Sequence, residues 1–455
     1  MNIMNTNKLS SKNILFIHFR TGERDGVSLE IEKRAKILKD KGYSVYFLTG
    51  YDPRTGDNCP YSIELIPQLD IKRRLTNFLR ESFFQKRILD NTLTWLIYHS
   101  EEEKIYRQVI KVLKRIKPSL IFIHNVFSTA YHLPATTAII KALDHQSAPT
   151  VCLYHDFWWE RYNFKKTNHQ FIQEIIENLP PVKSYIIRHQ VINSLAQKQL
   201  WEKRRIKAEK IGDYFDFDMP LPKKNHFNQD FRLSLGIKND DIVILHATRI
   251  VERKAIENAI IFAKFLEIEI KKRKPSTKVH LVLPNFIEVE SHLYFKKLKQ
   301  LADELGVSFI WCGDRIALER KKQNGLKIYS FWDTYLFADL TTYTSFAEGF
   351  GNQLLEAFWA RKIPVVFEYP VFKRDIKKEG YKIISLGDKM RKKNGFWFVP
   401  KEKIKAAVAK LLTIFTQKRV QSIVNHNFKL AKKYHDLSFL EDEIENLLSL
   451  AKIYP

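Results

Sequence analysis

Cysteine is scarce: Cys59, Cys152 and Cys312 are the only three in 455 residues, far apart and never in a Cys-x-x-Cys pair. That argues against a disulfide framework or a zinc site and for a reducing compartment. Long apolar runs are missing as well. None approaches the ~18 residues needed to span a bilayer, and the polar opening MNIMNTNKLSSKN lacks the apolar stretch of a secretory signal. The expectation is a cytoplasmic protein. Acidic residues are also in short supply, 51 against 76 Lys and Arg, which leaves a net charge of +25. Such an excess attracts anions, whether membrane headgroups, phosphorylated metabolites or nucleic acid. Specific nucleic-acid binding is not expected, because zinc-finger spacing, an RNP-like aromatic motif and a basic coiled coil are all absent.

What is present suits a soluble globular chain, with 45% hydrophobic and 28% charged residues and an aromatic content of 13%. The length fits two domains of about 200 residues each. Asn13 to Phe19 reads as a strand, followed by a helix in which Leu29, Ile31, Ala35 and Leu38 share a face and Gly42 ends the run, then a strand over Ser44 to Thr49. Residues 72–116 read as largely helical, Ser119 to His124 and Thr150 to Tyr154 as buried strands, and Val182 to Arg188 and Ile206 to Ile211 as the last elements of this half. Residues 213–230, with Pro220 and Pro222 and no periodicity, read as a linker. The pattern then restarts. Strands are expected over Asp241–Thr248, Lys278–Leu283, Val307–Cys312, Asp339–Tyr343 and Ile363–Phe367, with helices from about Ala255 and over 291–305, and a helical end from about Lys401. Two strand–helix halves predict an α/β protein of two doubly wound, Rossmann-like domains. We place them at 1–218 and 219–435, with a terminal helix at 436–455 packing back on the first.

The most informative stretch is Thr344 to Ala357, TSFAEGFGNQLLEA. It sits between two expected strands and opens a helix, the layout of a phosphate-binding unit. Gly349 and Gly351 admit close backbone approach, and the first N–H groups of the helix point at an anion. Glu348 and Glu356 would repel phosphate, so they must serve hydroxyl-bearing parts of the ligand, since one carboxylate accepts from two neighbouring hydroxyls. A phosphate centre flanked by hydroxyls describes a nucleotide sugar. After Asp241–Thr248 come Arg249 and Lys254, two cations suited to a diphosphate; surface placement among 76 basic residues is the plainer alternative. After Thr150–Tyr154 come His155 and Asp156, which could shape a sugar pocket with Phe157 and Trp158, or be a satisfied structural pair beside core aromatics. The loop RTGERDGVS after the first strand, with Arg20, Asp25 and Gly26, and His124-Asn125 after the fourth, are weaker candidates for the acceptor side or a phosphate loop. Residues 72–89 are basic and amphipathic, a pattern shared by membrane-surface segments and by helices packed on their own domain with a lysine-rich outer face.

With these pieces assembled, the chain resembles the family 4 retaining glycosyltransferases of GT-B fold over almost its whole length. The likeness rests most firmly on SFAEGFGNQLLEA, which looks like the family's Ser-x-x-Glu-Gly-Phe-Gly and Glu-x7-Glu signature, and on ATRIVERK, which matches its Arg-x4-Lys pair. The resemblance implies two Rossmann-like domains facing a cleft. It implies that Arg249 and Lys254 bind the donor diphosphate, Glu356 the nucleotide ribose and Glu348 the transferred sugar. The turn from Gly349 and Phe350 through Gly351, Asn352 and Gln353 would present backbone amides to the phosphates. Gly26 would lie in the loop between donor and acceptor, and His155 would line the sugar pocket. Two departures fall in one turn: the family's usual Gly before the Arg is replaced by Ala247-Thr248, and the Gly common after the Lys is Ala255. Within the family, RTGERDGVSLE, YHDFWWER, EGFGNQLLEA and FEYPVFKRDI together look similar to mannosylglucosylglycerate and mannosylglucosyl-phosphoglycerate synthases. That likeness implies GDP-mannose as donor and a small anionic glucoside as acceptor.

The resulting expectation is a cytoplasmic hexosyltransferase acting with retention, with the nucleotide sugar as substrate and neither cofactor nor metal implied. Peripheral contact with an anionic inner-membrane surface remains an open partner. A GT-B epimerase or phosphorylase, or a non-catalytic basic module that binds sugar or membrane, are the competing readings.

Overall fold

The computed structural model describes residues 12–23, 25–54, 59–180, 187–415 and 417–451. Most of the polar N-terminal stretch, and residues 182–186 of the expected Val182–Arg188 element, lie outside that range. The chain divides into two compact units, Met1–Asp213 with Ser438–Pro455, and Tyr214–Leu437.

The first unit runs β1 (Asn13–Ile17), α1 (Gly26–Asp40), β2 (Ser44–Thr49), β3 (Ser62–Leu65), α2 (Arg74–Phe84), α3 (Asn91–Ile116), β4 (Leu120–His124), α4 (Leu133–Leu143), β5 (Thr150–Tyr154), α5 (Gln170–Glu177), β6 (Ile187–Val191), α6 (Ser194–Arg204) and β7 (Glu209–Lys210). Its seven strands lie in the order β3-β2-β1-β4-β5-β6-β7, and every pairing is parallel. β4 and β5 are buried at every position, because helices cover both faces of a parallel sheet. Phe16 stacks on Phe122 across β1 and β4 with ring centroids 4.9 Å apart, in the middle of the sheet. Helix starts follow local chemistry: the Asp25 side chain accepts from Val27 and Ser28 N–H at the head of α1, and Asp90 does the same for Leu93 at the head of α3. The expected helical stretch 72–116 breaks over 85–90 into α2 and α3.

The second unit runs α7 (Phe231–Ser234), β8 (Ile242–Leu245), α8 (Glu257–Lys271), β9 (Val279–Leu283), α9 (His292–Leu305), β10 (Ser308–Trp311), β11 (Ile316–Ala317), β12 (Lys321–Gln323), β13 (Leu326–Ser330), α10 (Phe331–Phe337), β14 (Leu340–Tyr343), α11 (Asn352–Trp359), β15 (Ile363–Val366), β16 (Ile384–Ser385), β17 (Arg391–Lys393), β18 (Phe396–Phe398), α12 (Lys401–Ile414) and α13 (Gln417–His435). Its main sheet is ordered β10-β9-β8-β14-β15-β16, all parallel. Counted within each main sheet, the first six strands of the two follow the same order, 3-2-1-4-5-6. A small sheet of β11, β13 and β12 and the hairpin β17–β18 are additions to this frame.

The last helix, α14 (Ser438–Ala451), belongs to the first unit. Lys41 beyond α1 pairs with Glu445, and Gln190 on β6 donates to Glu443 at 2.9 Å. Among the described residues, no helix is long and apolar enough to cross a membrane.

Candidate active site

In a doubly wound sheet, ligands bind beyond the carboxyl ends of the strands where the order reverses. In the second unit that point lies between β8 and β14, whose Ile244 and Leu245 pair with Leu340 and Thr341. The segment leaving β8 carries His246 to Lys254, and the segment leaving β14 is the glycine-bracketed turn. Two strands adjacent in space therefore bring together residues about ninety positions apart in sequence.

The two segments meet at Glu348. Lys254 donates to one carboxylate oxygen, and Arg253 Nη1 lies 2.6 Å from the other. Arg253 also donates to the Ala347 carbonyl at 2.8 Å, and its own carbonyl accepts from Phe346 N–H at 3.0 Å. The Lys254 and Glu348 side chains retain only 4% and 9% of their exposure, so neither charge is left to water. Burial alone would raise the Glu348 carboxyl, but the charges of Lys254 and then Arg253 outweigh it and hold the group at about 2. For Lys254 burial is the larger influence; it draws the ammonium down to about 8 despite the attraction of Glu348. Glu348 is firmly an anion, and the lysine is the partner nearer to losing its charge.

Arg249 leaves β8 toward Glu288, with Nη1 3.0 Å from the carboxylate and its side chain about a third exposed. Its charge still reaches Lys254 and adds to the pull on that group. Beneath this turn, the buried His246 bonds the Thr342 hydroxyl at 2.9 Å through Nδ1 and the Thr248 hydroxyl at 2.8 Å through Nε2. Burial lowers His246 to about 3, so it works as a neutral strut between the two strand ends. Ala255, where the family favours Gly, adopts φ +46°, the left-handed conformation that a glycine would take more readily.

Past Glu348 the turn tightens. Phe350 is buried against the His435 ring at 5.1 Å, and its carbonyl accepts from the Tyr369 hydroxyl. A Cβ on Gly351 would lie 2.6 Å from that hydroxyl, so a side chain at this point would have to displace the Tyr369 phenol. Asn352 and Gln353 form the first turn of α11, and Gly349 precedes it. One turn further, the buried Glu356 accepts from the Tyr335 phenol of α10 at 2.6 Å. The loop is braced from below: Phe346 packs on Trp397 of β18 at 5.0 Å, and Trp397 N–H donates to Glu257 at 2.6 Å.

In the first unit the reversal lies between β1 and β4, and His18 and His124 stand at those two strand ends. His18 Nδ1 bonds the His124 carbonyl at 2.7 Å, and His124 Nδ1 lies 3.3 Å from His155 Nε2 just past β5. Burial lowers all three, His155 to about 4, so the row is neutral imidazole at neutral pH. Asn125, in the left-handed region at φ +58°, donates to Asp156 at 3.0 Å and accepts from His155 N–H at 2.7 Å. Asp156 also pairs with Arg161. Arg20 bonds Glu23 and Asp70, at 2.6 Å for the latter, and lies 4.0 Å above the Tyr51 ring. Asp25 serves as the cap of α1, and around a Gly26 Cβ there would be open space among the described residues.

The expected residues thus form two groups, one in each unit: Glu348 with Lys254, and His124 with His155, Asn125 and Asp156. Arg249 is turned to Glu288, and Arg20 to Glu23 and Asp70. The sequence pattern does not single out His18, Arg253, His246 or Tyr335. His18 falls inside the expected strand Asn13–Phe19, but the observed strand ends at Ile17. Arg253 lies in the same turn as Lys254 and is one more cation in a basic run. Among the described residues, no group of three or more His, Cys, Asp or Glu side chains could hold a metal ion.

Two parallel sheets of one strand order, with these turns at their reversal points, make up the GT-B fold of glycosyltransferases. The chain superposes on a glycosyltransferase from Rickettsia africae ESF-5 with a TM-score of 0.64 at 11% identity, over 97% of this chain and 99% of that one. No family model matches the sequence. Full-length relatives are closer. The mannosylglucosylglycerate synthase of Thermotoga maritima is 32% identical over 442 residues, 94% of this chain and 98% of that protein. The synthase of the same name from Petrotoga mobilis is 33% identical over 414 residues, 88% and 92% of the two chains. The chain belongs to the mannosylglucosylglycerate synthase family and is a glycosyltransferase.

Proposed function

We propose that this enzyme transfers mannose from GDP-mannose, with retention of configuration, to a hydroxyl of a small anionic glucoside such as glucosylglycerate. The sugars and the acid come from the name its relatives carry. The observation that carries the donor assignment is the buried Glu348 carboxylate held between Lys254 and Arg253 at the reversal point of the second sheet. A carboxylate fixed by two cations keeps lone pairs for vicinal sugar hydroxyls. Lys254, Arg249 and the first N–H groups of α11 supply positive charge for the diphosphate, and Glu356 accepts from the ribose.

In the reaction the C1–O bond to the diphosphate breaks and a C1–O bond to the acceptor hydroxyl forms on the same face. The departing phosphate oxygen takes the hydroxyl proton. Charge grows on that oxygen as the bond breaks, and fixed positive groups stabilise it without having to reorganise. No carboxylate then needs to act as a covalent nucleophile, in contrast to a retaining glycosidase. On the acceptor side, His124, Asn125, His155 and Asp156 offer neutral and anionic groups for sugar hydroxyls, and the basic balance of the chain favours an anionic acceptor. An anionic membrane surface remains a secondary partner to test. No cofactor is assigned.

The test is incubation with GDP-mannose and glucosylglycerate, following GDP release and the anomeric configuration of the product by NMR. An α-linked mannoside is expected, lost in E348Q and K254A. A β-linked product, or E348Q and K254A variants that fold and keep near-normal transfer, would overturn the assignment. Nucleotide release without acceptor would favour an epimerase.

A further inference from the structure

We infer that Arg253 is the positioning residue that aims Glu348 at the transferred sugar, and that it governs sugar recognition without binding the nucleotide. The inference rests on the donor assignment above.

The geometry is specific to this side chain. Arg253 holds three consecutive residues of the turn after β14: its carbonyl takes Phe346 N–H at 3.0 Å, and Nη1 reaches the Ala347 carbonyl at 2.8 Å and Glu348 Oε2 at 2.6 Å. Lys254 takes the opposite oxygen, Oε1. One cation could hold the carboxylate but would leave it free to rotate about its terminal bond. Two cations, one on each oxygen, fix its plane. An ionised carboxylate has about four acceptor sites; beyond those that face Lys254, Arg253 and the nearby Ser345 hydroxyl, acceptor capacity is left for a sugar hydroxyl.

The two cations are not equivalent. Lys254 is nearly buried, whereas the Arg253 side chain is 37% exposed at the rim of the turn. In the proposed reaction Lys254 is shared with the diphosphate, and a diphosphate drawn to it competes with Glu348 for the same ammonium. The guanidinium is always charged and bonds in a fixed planar geometry, so Arg253 keeps the carboxylate in place while Lys254 serves two anions. The turn has a second support in the contact of Phe346 with Trp397, so a change at Arg253 leaves the loop a folded scaffold.

The experiment is calorimetric titration of wild type, R253M and R253K with GDP and with GDP-mannose, alongside kcat and KM. R253M is expected to bind GDP within about twofold of wild type. Its preference for GDP-mannose over GDP should fall about tenfold or more, the worth of one hydrogen bond to a charged group, with a matching loss in kcat. R253K should recover most of that preference. Two results would overturn the inference: an R253M preference equal to wild type, or equal losses for both ligands, which would make Arg253 a phosphate ligand. If wild type fails to bind GDP-mannose the donor identity falls instead, and the same ratio is read on the nucleotide sugar that wild type binds. If it binds none, both readings fall.

Discussion

The Tyr335 phenol donates to the Glu356 carboxylate at 2.6 Å, and both residues are buried. Burial, reinforced by the adjacent carboxylate, raises the phenol well above its usual range, so it remains a donor across the working pH. A glutamate assigned to a ribose needs a fixed rotamer, and this bond from α10 supplies it. Y335F should raise the KM for the nucleotide sugar about tenfold and cost about 1.5 kcal/mol of stability, as expected when a buried charged acceptor loses one hydrogen bond. Donor titration and thermal unfolding check both, and unchanged nucleotide affinity would remove Tyr335 from the ribose site.

Lys254 gives the enzyme an alkaline limit. With its ammonium drawn down to about 8, the lysine loses its proton as pH rises through that value, and kcat/KM for the donor should fall with it. Stability runs the other way. Between about 8 and the ordinary lysine value of 10.5 the unfolded chain binds a proton that the folded chain does not, so this group adds stability as pH rises across that window. K254R stays charged and should lose both effects. A wild-type alkaline limb that persists in K254R would assign it to another group.

Removing one partner of the central pair should harm stability more than removing both. E348Q leaves a buried ammonium without its counter-charge, at a cost of about 3 kcal/mol, or about 6–12 °C in the Tm of a unit this size. E348Q/K254M removes the orphaned charge and should regain most of that stability while remaining inactive. Independent, additive losses in the double variant would show that the two side chains are not coupled.

Ala255 sits at φ +46° directly after Lys254. The left-handed conformation costs an L-residue about 1–2 kcal/mol, and glycine loses about 0.4–1 kcal/mol through its freer unfolded chain. A255G should therefore stabilise the protein by about 0.5–1 kcal/mol and leave kcat/KM unchanged, measured by thermal unfolding and steady-state assay. Destabilisation would mean that the methyl group packs more favourably than the backbone is strained.

Below neutral pH the histidine row sets the opposite limit. His155, lowered by burial to about 4, is neutral in the folded protein while its unfolded counterpart protonates near 6.5. Stability contributed by this group is present above 6.5 and is lost as pH falls toward 4. H155Q should flatten the acid side of the stability profile, read by Tm between pH 4 and 7. An acid profile identical to wild type would exclude this histidine as its source.

Much of the framework was legible because it is written locally. Continuous apolar runs such as TVCLY and VHLVL match β5 and β9, and Gly42, at φ +81°, lies just past α1. Elements with weaker periodicity leave no such mark. β11, β12, β13, β17 and β18 span only two to five residues each, two of them wholly exposed. Their Asn324-Gly325 and Asn394-Gly395 turns, at positive φ throughout, were the signal available in the sequence. β8 ends at Leu245, short of the expected Thr248; past it the His246 ring bonds the Thr342 and Thr248 hydroxyls.

The sequence by itself determined the alternation of strands and helices, the glycine-bracketed turn, and the placing of two glutamates eight positions apart around it. Those features depend on periodicity and turn chemistry within a dozen residues. Only the tertiary structure decided that Glu348 is held by Lys254 and Arg253, that Arg249 faces Glu288, and that Tyr335 fixes Glu356. The reason is topological. β8 and β14 are neighbours in the sheet, yet five strands lie between them along the chain, so which charges meet at their ends depends on a crossover that no local pattern records.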